Sequence, residues 1–128
     1  MNKDFDQWNE VKKAIHHNET VKLYHAREVW WCALGANVGF EQDGTGDEYR
    51  RPVLILKGLS GQTCLVIPLT TSTRRHRLRP AVGLVEGQEA RALLSQIRVI
   101  DTKRLVRKIG YIERDAFESI RKAVKDIL

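Results

Sequence analysis

The sequence RPVLILKGLSGQTCLVIPLT, residues 51–70, predicts a β-hairpin on which the rest of the fold prediction depends. Two apolar runs, residues 51–57 and 62–69, are rich in Val, Ile and Leu, which suit extended strands. Residues 58–61 between them hold two glycines and a serine, the composition of a turn. Two short apolar runs with a glycine-containing connection of about 3–5 residues are typical of an antiparallel hairpin.

Further short strands surround this hairpin in the sequence. Residues 28–34 and 106–112 have strand composition, and residues 81–100 contain short strands that break near Glu86. Residues 101–105 predict a helical turn. Several short strands with compact connections favour a small, mainly β barrel over a βαβ sheet.

Apolar residues at helical spacing predict a helix at each end of the chain. The C-terminal helix, residues 114–128, has an apolar stripe of Phe117, Ile120, Val124 and Ile127. The N-terminal helix, residues 4–17, has a stripe of Phe5, Trp8, Val11 and Ile15. We therefore divide the chain into an N-terminal helical extension, residues 1–26, and a barrel domain, residues 27–128. The fold class is α+β, with β dominant.

The charge balance narrows the class of partner. Lys and Arg number 22 against 16 Asp and Glu, a formal net charge of +6, which favours nucleic acid, an acidic protein or a membrane surface. The most biased segment is a loop containing Arg74, Arg75, His76, Arg77 and Arg79. No run approaches the about 18 apolar residues of a membrane span, and the polar start resembles no signal peptide. We expect a cytoplasmic protein without a membrane partner.

Metal, nucleotide-cofactor and thiol chemistry have little support in the sequence. His16 and His17 are adjacent and would point apart on a helix, and residues 43–48 lack the ligand pattern of a calcium loop. No glycine-rich phosphate-binding motif occurs, so we predict no metal and no cofactor. Cys32 and Cys64 lie in apolar runs and are predicted to be buried thiols, although a catalytic cysteine beside a histidine remains open.

Polar residues collect at one end of the predicted hairpin. Arg51 opens its first strand and Thr70 follows its second, so the two fall at the same end. A long polar loop with Glu41 also ends there, and the arginine-rich loop begins there. A fixed cation, a hydroxyl and a carboxylate suit phosphodiester chemistry. Alternatively, Arg51 only pairs with an acid of residues 47–48, and Thr70 is a turn residue.

An ordered series of motifs resembles the MazF/PemK family of toxins. The motifs are REVWW at 27–31, GFEQ at 39–42, RPVLI at 51–55, IPLTT at 67–71, SQIRVID at 95–101 and KRL at 103–105, followed by the amphipathic helix. The resemblance covers residues 27–128. It implies an SH3-like barrel of the CcdB/MazF/PemK type, a homodimer, a cognate antitoxin that is acidic and partly disordered, and metal-independent, sequence-selective cleavage of single-stranded RNA.

The resemblance also implies roles for individual residues. Arg51 would act at the scissile phosphate, Thr70 would assist with Thr71 as the alternative hydroxyl, and Glu41 would contribute its carboxylate. The residues predicted to bind RNA are Gln42, Thr71, Arg74, Arg75, Arg77, Arg79, Gln96 and Arg98. The four loop arginines are assigned from their positive charge and not from the resemblance, and the alternative is that this loop is only solvated. One departure is Ser95, where some family members carry an acid, and the role of that acid is in doubt here.

Two other function classes remain open at this point. A barrel of this type could be a non-catalytic, CcdB-like poison that binds a target enzyme such as gyrase. It could also be an RNA-binding barrel without chemistry. The arginine of the RPV motif and the Pro-Leu-Thr that ends the hairpin favour the nuclease, whose products would be a 2′,3′-cyclic phosphate and a 5′-hydroxyl.

Overall fold

The computed structural model describes residues 23–34 and 50–128. The predicted N-terminal helix and the residues Glu41 and Gln42 lie outside the described residues. The described strands are β1 (Glu28–Ala33), β2 (Arg50–Gly58), β3 (Thr63–Thr70), β4 (Ala81–Val85), β5 (Gln88–Ala92), β6 (Arg98–Asp101) and β7 (Leu105–Tyr111). Two short 3-10 helices, Leu94–Gln96 and Thr102–Arg104, flank β6, and helix α1 spans Arg114–Asp126.

The described strands form a curled antiparallel sheet in the order β4-β5-β3-β2-β1-β7. The predicted hairpin is β2 with β3, in a register where Val53 faces Pro68. The other edge of β3 is shared by two strands: β6 pairs with its first half, from Thr63 to Val66, and β5 pairs with its end, at Leu69 and Thr70. The end of β3 therefore lies between β2 and β5.

Both faces of the central hairpin are covered, which explains its nearly continuous apolar sequence. Successive residues of a strand point to opposite faces, and Val53 and Leu54 are both fully buried. Leu54 packs in a cluster with Phe117 and Ile120 of α1. Val53 packs in a second cluster with Trp30 and other side chains of the opposite face. A strand buried on both faces loses the apolar–polar alternation of a half-exposed strand.

The predicted mainly β, barrel-type fold with a C-terminal helix is confirmed, and the curled sheet forms a half-barrel. Phe117 and Ile120 are buried as the stripe predicts. Ile127, the last residue of the predicted apolar stripe, is 43% exposed and is not part of the buried core. The helix ends at Asp126, and Ile127 therefore leaves the helical face. Among the described residues, no helix is long and apolar enough to cross a membrane.

Candidate functional site

Arg51 is a buried cation near the start of β2. Its side chain is 4% exposed, and its Nη1 donates a 3.0 Å hydrogen bond to the carbonyl oxygen of Leu69 on β3. Arginine is rarely buried so fully unless polar partners hold it. Because Val53 faces Pro68, the same antiparallel register brings Arg51 level with Thr70. The hairpin thus fixes a permanent positive charge beside the end of β3.

Thr70 is the last residue of β3 and is 7% exposed. Its Oγ1 accepts a 3.1 Å hydrogen bond from the backbone N–H of Ser72. The Ser72 Oγ in turn accepts a 3.2 Å bond from the N–H of Arg74, so two side-chain turns follow each other. Since the Thr70 oxygen serves as an acceptor here, its hydroxyl proton is directed elsewhere, and the group can donate to a ligand.

Arg51 and Thr70 share a cavity of about 280 Å³. Its lining residues are Trp31, Arg51, Pro52, Leu69, Thr70, Thr71, Val85, Glu86, Gln88 and Ala90. Strands β1, β2 and β3 supply one part of this wall, and the β4–β5 hairpin supplies the other. The cavity therefore combines a fixed cation, hydroxyls, a carboxylate and an aromatic surface, as a site for a polar, partly aromatic ligand would.

A second groove of about 430 Å³ adjoins this cavity, because Thr71 and Gln88 line both. The other lining residues are Ser72, Thr73, Arg75, Glu89 and Arg91. Arg91 pairs with Thr70 in the β3–β5 register, and its Nη1 donates a 2.8 Å bond to the Arg79 carbonyl. This bond ties the far end of the arginine-rich loop to the sheet, so the loop borders the groove.

Glu86 reaches the cavity from the turn between β4 and β5. Its backbone has a φ of +51°, and Gly87 follows with a φ of +81°. Glu86 Oε2 lies 3.7 Å from Arg107 Nη2, and Arg107 is the cross-strand neighbour of Trp31. Because β4 and β7 are the two ends of the strand order, this ion pair joins the opposite edges of the curled sheet.

Comparisons with known proteins place these features in a family. A family model described as a PemK-like, MazF-like toxin of type II toxin-antitoxin systems matches residues 25–128. The chain belongs to this toxin family. The hairpin that carries Arg51 and Thr70, and the cavity between them, lie entirely within the matched span.

Solved structures with the same fold include other toxins of this type. A MazF from Deinococcus radiodurans is 18% identical, with a TM-score of 0.67 over 83% of this chain and 96% of that one. The Mycobacterium tuberculosis toxin MazF-mt6 is 21% identical, with a TM-score of 0.60 over 78% and 94%. An endoribonuclease from a mycobacterial species, solved with its cognate antitoxin, is 17% identical, with a TM-score of 0.63 over 81% and 93%.

In this toxin the structure brings together only part of the set predicted to bind RNA. Thr71 and Arg75 line the cavity or the groove. Arg74 and Arg77 are exposed on the loop and Arg79 is half-buried, but none of the three is among the described lining residues. Their role in RNA binding stays a prediction.

Gln96 and Arg98 are in elements that do not line the cavity. Gln96 belongs to a 3-10 helix, and Arg98 opens β6 opposite Val66, four residues before Thr70. The reason is that β5, rather than β6, pairs with the end of β3. Neither residue is among the described residues that line the two cavities, and their assignment also stays a prediction.

Sequence reasoning missed Trp31, Glu86, Gln88 and Arg91 as candidate site residues. The only local signal for Glu86 was its position directly before a glycine in a break between two short strands. Two-residue hairpin turns usually hold Asn, Asp or Gly at that position, because both central residues need a positive φ. A glutamate there departs from the local preference, and such departures often mark functional sites.

The two cysteines contribute no nucleophile. Both are free and fully buried, as predicted. Burial raises the pKa of the Cys32 thiol to about 12 and that of Cys64 to about 11. The reactive form of cysteine is the thiolate, so both groups are unreactive at neutral pH. Within residues 23–34 and 50–128, no three His, Cys, Asp or Glu side chains come together as metal ligands.

Proposed function

We propose that this toxin is an endoribonuclease that cleaves single-stranded RNA at short sequence motifs without a metal ion. The observation that carries the proposal is the buried Arg51 guanidinium, level with Thr70 in a cavity that opens into an arginine-bordered groove. A fixed cation beside an oriented hydroxyl can stabilise charge on a reacting phosphate, which supports the nuclease over a poison that only binds another protein.

The proposed reaction is an attack by the RNA 2′-hydroxyl on its own phosphate. The 2′-oxygen loses its proton and forms a bond to phosphorus, while the bond from phosphorus to the 5′-oxygen breaks. The 5′-oxygen takes up a proton and leaves as a hydroxyl, and the other fragment keeps a 2′,3′-cyclic phosphate. Negative charge accumulates on the phosphate oxygens during this step, so the enzyme must stabilise that charge.

Arg51 is the residue proposed to stabilise it. A guanidinium stays charged at all relevant pH values and matches the geometry of two phosphate oxygens. The bond from Nη1 to the Leu69 carbonyl restrains the guanidinium before RNA binds. Such preorganisation avoids a reorganisation cost in the transition state. The Thr70 Oγ1 already accepts a hydrogen bond from the backbone N–H of Ser72. We therefore propose that the Thr70 hydroxyl donates its own proton in a hydrogen bond to a phosphate oxygen.

The proton transfer and the RNA contacts complete the proposal. The family resemblance assigns Glu41 to the site, and its carboxylate would accept the 2′-hydroxyl proton, while Gln42 would contact the RNA. Thr71 and Arg75 would bind the strand along the groove, with the other loop arginines, Gln96 and Arg98 at further contacts. We also propose a homodimer that acts on cytoplasmic RNA. An acidic, partly disordered antitoxin would compete for the same basic groove, because opposite charges favour that encounter.

The experiment is to incubate the purified protein with a pool of single-stranded RNA in EDTA and to map the new 5′ ends. We expect cleavage at a short recurring motif, with 5′-hydroxyl and 2′,3′-cyclic phosphate ends. Arg51→Ala is the test variant. Arg121→Ala, which removes an exposed arginine of α1, is the matched control. Uncleaved RNA, or equal cleavage by wild type and Arg51→Ala, would contradict the proposal.

A further inference from the structure

Glu86 lines the cavity with a half-exposed side chain, and two features of the fold restrain it. The first is the ion pair with Arg107 across the two edges of the sheet. The second is the turn, where Glu86 adopts a left-handed backbone conformation that is strained for residues other than Gly, Asn or Asp. A carboxylate that borders a cavity from a strained backbone position is a candidate for ligand recognition.

The cavity around Glu86 has the size and lining of a pocket for one base. Its volume of about 280 Å³ lies just below the roughly 300–1,000 Å³ of pockets that hold whole small-molecule ligands. Trp31 and Pro52 contribute flat surfaces, and Leu69 and Val85 contribute apolar ones. Single-stranded RNA is recognised by stacking unpaired bases on aromatic side chains and by hydrogen bonds to their Watson–Crick edges.

We propose that this cavity binds a guanine next to the scissile phosphate, with Trp31 as its aromatic wall and Glu86 as its specificity-determining residue. The inference rests on the proposed ribonuclease function, because Arg51 and Thr70 of the same cavity locate the phosphate. The inference assigns the preference for guanine to Glu86, which is not one of the residues proposed to bind the phosphate.

Guanine fits the polar groups of the cavity better than the other bases do. A carboxylate offers two acceptor oxygens side by side, and guanine presents two neighbouring donors, N1–H and the N2 amino group. The Gln88 carboxamide can donate to the guanine O6. Adenine and cytosine present one amino donor beside a ring nitrogen lone pair. Uracil presents a single N3–H donor between two carbonyl oxygens that a carboxylate repels.

The test measures binding, so that it does not depend on cleavage. The probes are fluorescent, fully 2′-deoxy heptanucleotides of uracil bases with a central guanine, hypoxanthine, adenine, cytosine or uracil. A bidentate pair discriminates by about 1–3 kcal/mol, which is about 5- to 150-fold. Wild type should bind the guanine probe tighter than the adenine, cytosine and uracil probes by a factor in this range. Hypoxanthine, which lacks only the N2 amino group, should lose most of that advantage.

Two glutamate-to-glutamine variants then assign the effect to one residue. Glu86→Gln keeps the side-chain length but replaces one acceptor oxygen with an amino group, so the guanine-over-hypoxanthine ratio should fall to nearly one. Glu118→Gln is the matched control, because Glu118 is also half-exposed and lies 3.6 Å from an arginine, on helix α1. It should keep the wild-type ratio. Thermal melting checks that both variants fold.

The outcomes separate this inference from the proposed function. Wild type without a guanine preference, or Glu86→Gln with an unchanged guanine-over-hypoxanthine ratio, would overturn the inference. An equal loss of binding to all five probes by Glu86→Gln would overturn it too, because the residue would then act on the strand in general. The protein could also show guanine selectivity that depends on Glu86 and still leave RNA uncleaved. That result would support the guanine pocket and contradict the proposed ribonuclease function.

Discussion

The guanidinium of Arg51 and the carbonyl oxygen of Leu69 are joined by a 3.0 Å hydrogen bond between β2 and β3. This bond places the cation next to the residue that precedes Thr70, and it does so with a side chain only 4% exposed. The bond restrains the guanidinium, so its proposed effect on a bound phosphate would depend on position as well as charge.

Replacing Arg51 should therefore damage the chemical step more than RNA binding. We expect Arg51→Ala to lower kcat by about 10²–10³, the usual effect of removing one preorganised electrostatic group. Arg51→Lys should remain well below wild type, because an ammonium keeps the charge but loses the planar fork. Single-turnover cleavage and a thermal melt of each variant are the measurements. A folded Arg51→Ala protein with wild-type kcat would remove Arg51 from the mechanism.

Thr70 and Thr71 can be told apart with isosteric substitutions. Thr70→Val should lower kcat by about 10²-fold if its hydroxyl donates to the reacting phosphate. It should also lose about 1 kcal/mol of stability, because the N–H of Ser72 loses its partner. Thr71→Val, at an exposed position of the same cavity, should raise KM with little effect on kcat. The reverse pattern would make Thr71 the active hydroxyl.

The arginine-rich loop should act by binding phosphates of the RNA strand. The Kd for single-stranded RNA depends on salt with a log–log slope that falls by about 0.7 for each phosphate that the protein no longer neutralises. Substituting Arg74, Arg75 and Arg77 with glutamine should reduce this slope, with Arg75→Gln giving the largest single effect, since Arg75 lines the groove. The matched control removes three exposed charges from α1, as Arg114→Gln, Lys122→Gln and Lys125→Gln. If the slope changes equally in both triple variants, the loop arginines have no specific contact with the RNA phosphates, and the prediction is contradicted.

Glu28 should make the stability of the fold depend on pH. Burial alone would raise the pKa of its carboxyl, but N–H groups of Trp30 and His25 and the charge of Lys108 lower the pKa below the ordinary 4.5. A lowered folded-state pKa stabilises the protein above the ordinary value, and this stabilisation is lost as pH falls through the folded-state pKa.

The free energy of unfolding, measured by urea titration from pH 7 down to pH 3, tests this expectation. Wild type should lose more stability on acidification than Glu28→Gln, so that the two converge at low pH. Glu113→Gln, at an exposed carboxyl, should follow wild type across the range. A constant gap between wild type and Glu28→Gln at every pH would contradict the assigned pKa shift.

The sequence predicts the half of the site that is proposed to bind phosphate, because the residues of that half belong to one hairpin and the loop after it. Arg51 and Thr70 sit at the two open ends of one hairpin, and antiparallel pairing alone brings them level. Arg75 follows for the same reason, since its loop starts where β3 ends. The positions of these residues can be predicted without knowing how the other strands of the sheet are arranged.

The other half of the site depends on how the sheet curls. Glu86 and Trp31 are distant in sequence, and they meet because β4 and β7 approach each other at the edges of the half-barrel. Gln96 was placed near the site by resemblance alone. In the structure, β5 pairs with the end of β3, and β6 pairs with the first half of β3. No local pattern encodes that division of one strand edge between two partners.

The measurement that bears on the whole mechanism uses one oligonucleotide in three forms, in EDTA. The first form is RNA containing the mapped cleavage motif, the second is the same sequence as DNA, and the third is that DNA with a single ribonucleotide on the 5′ side of the scissile phosphate. Attack by the 2′-hydroxyl predicts cleavage of the first and third forms, with a 2′,3′-cyclic phosphate, and an intact second form. Cleavage of the all-DNA form, or an intact third form beside cleaved RNA, would contradict the mechanism.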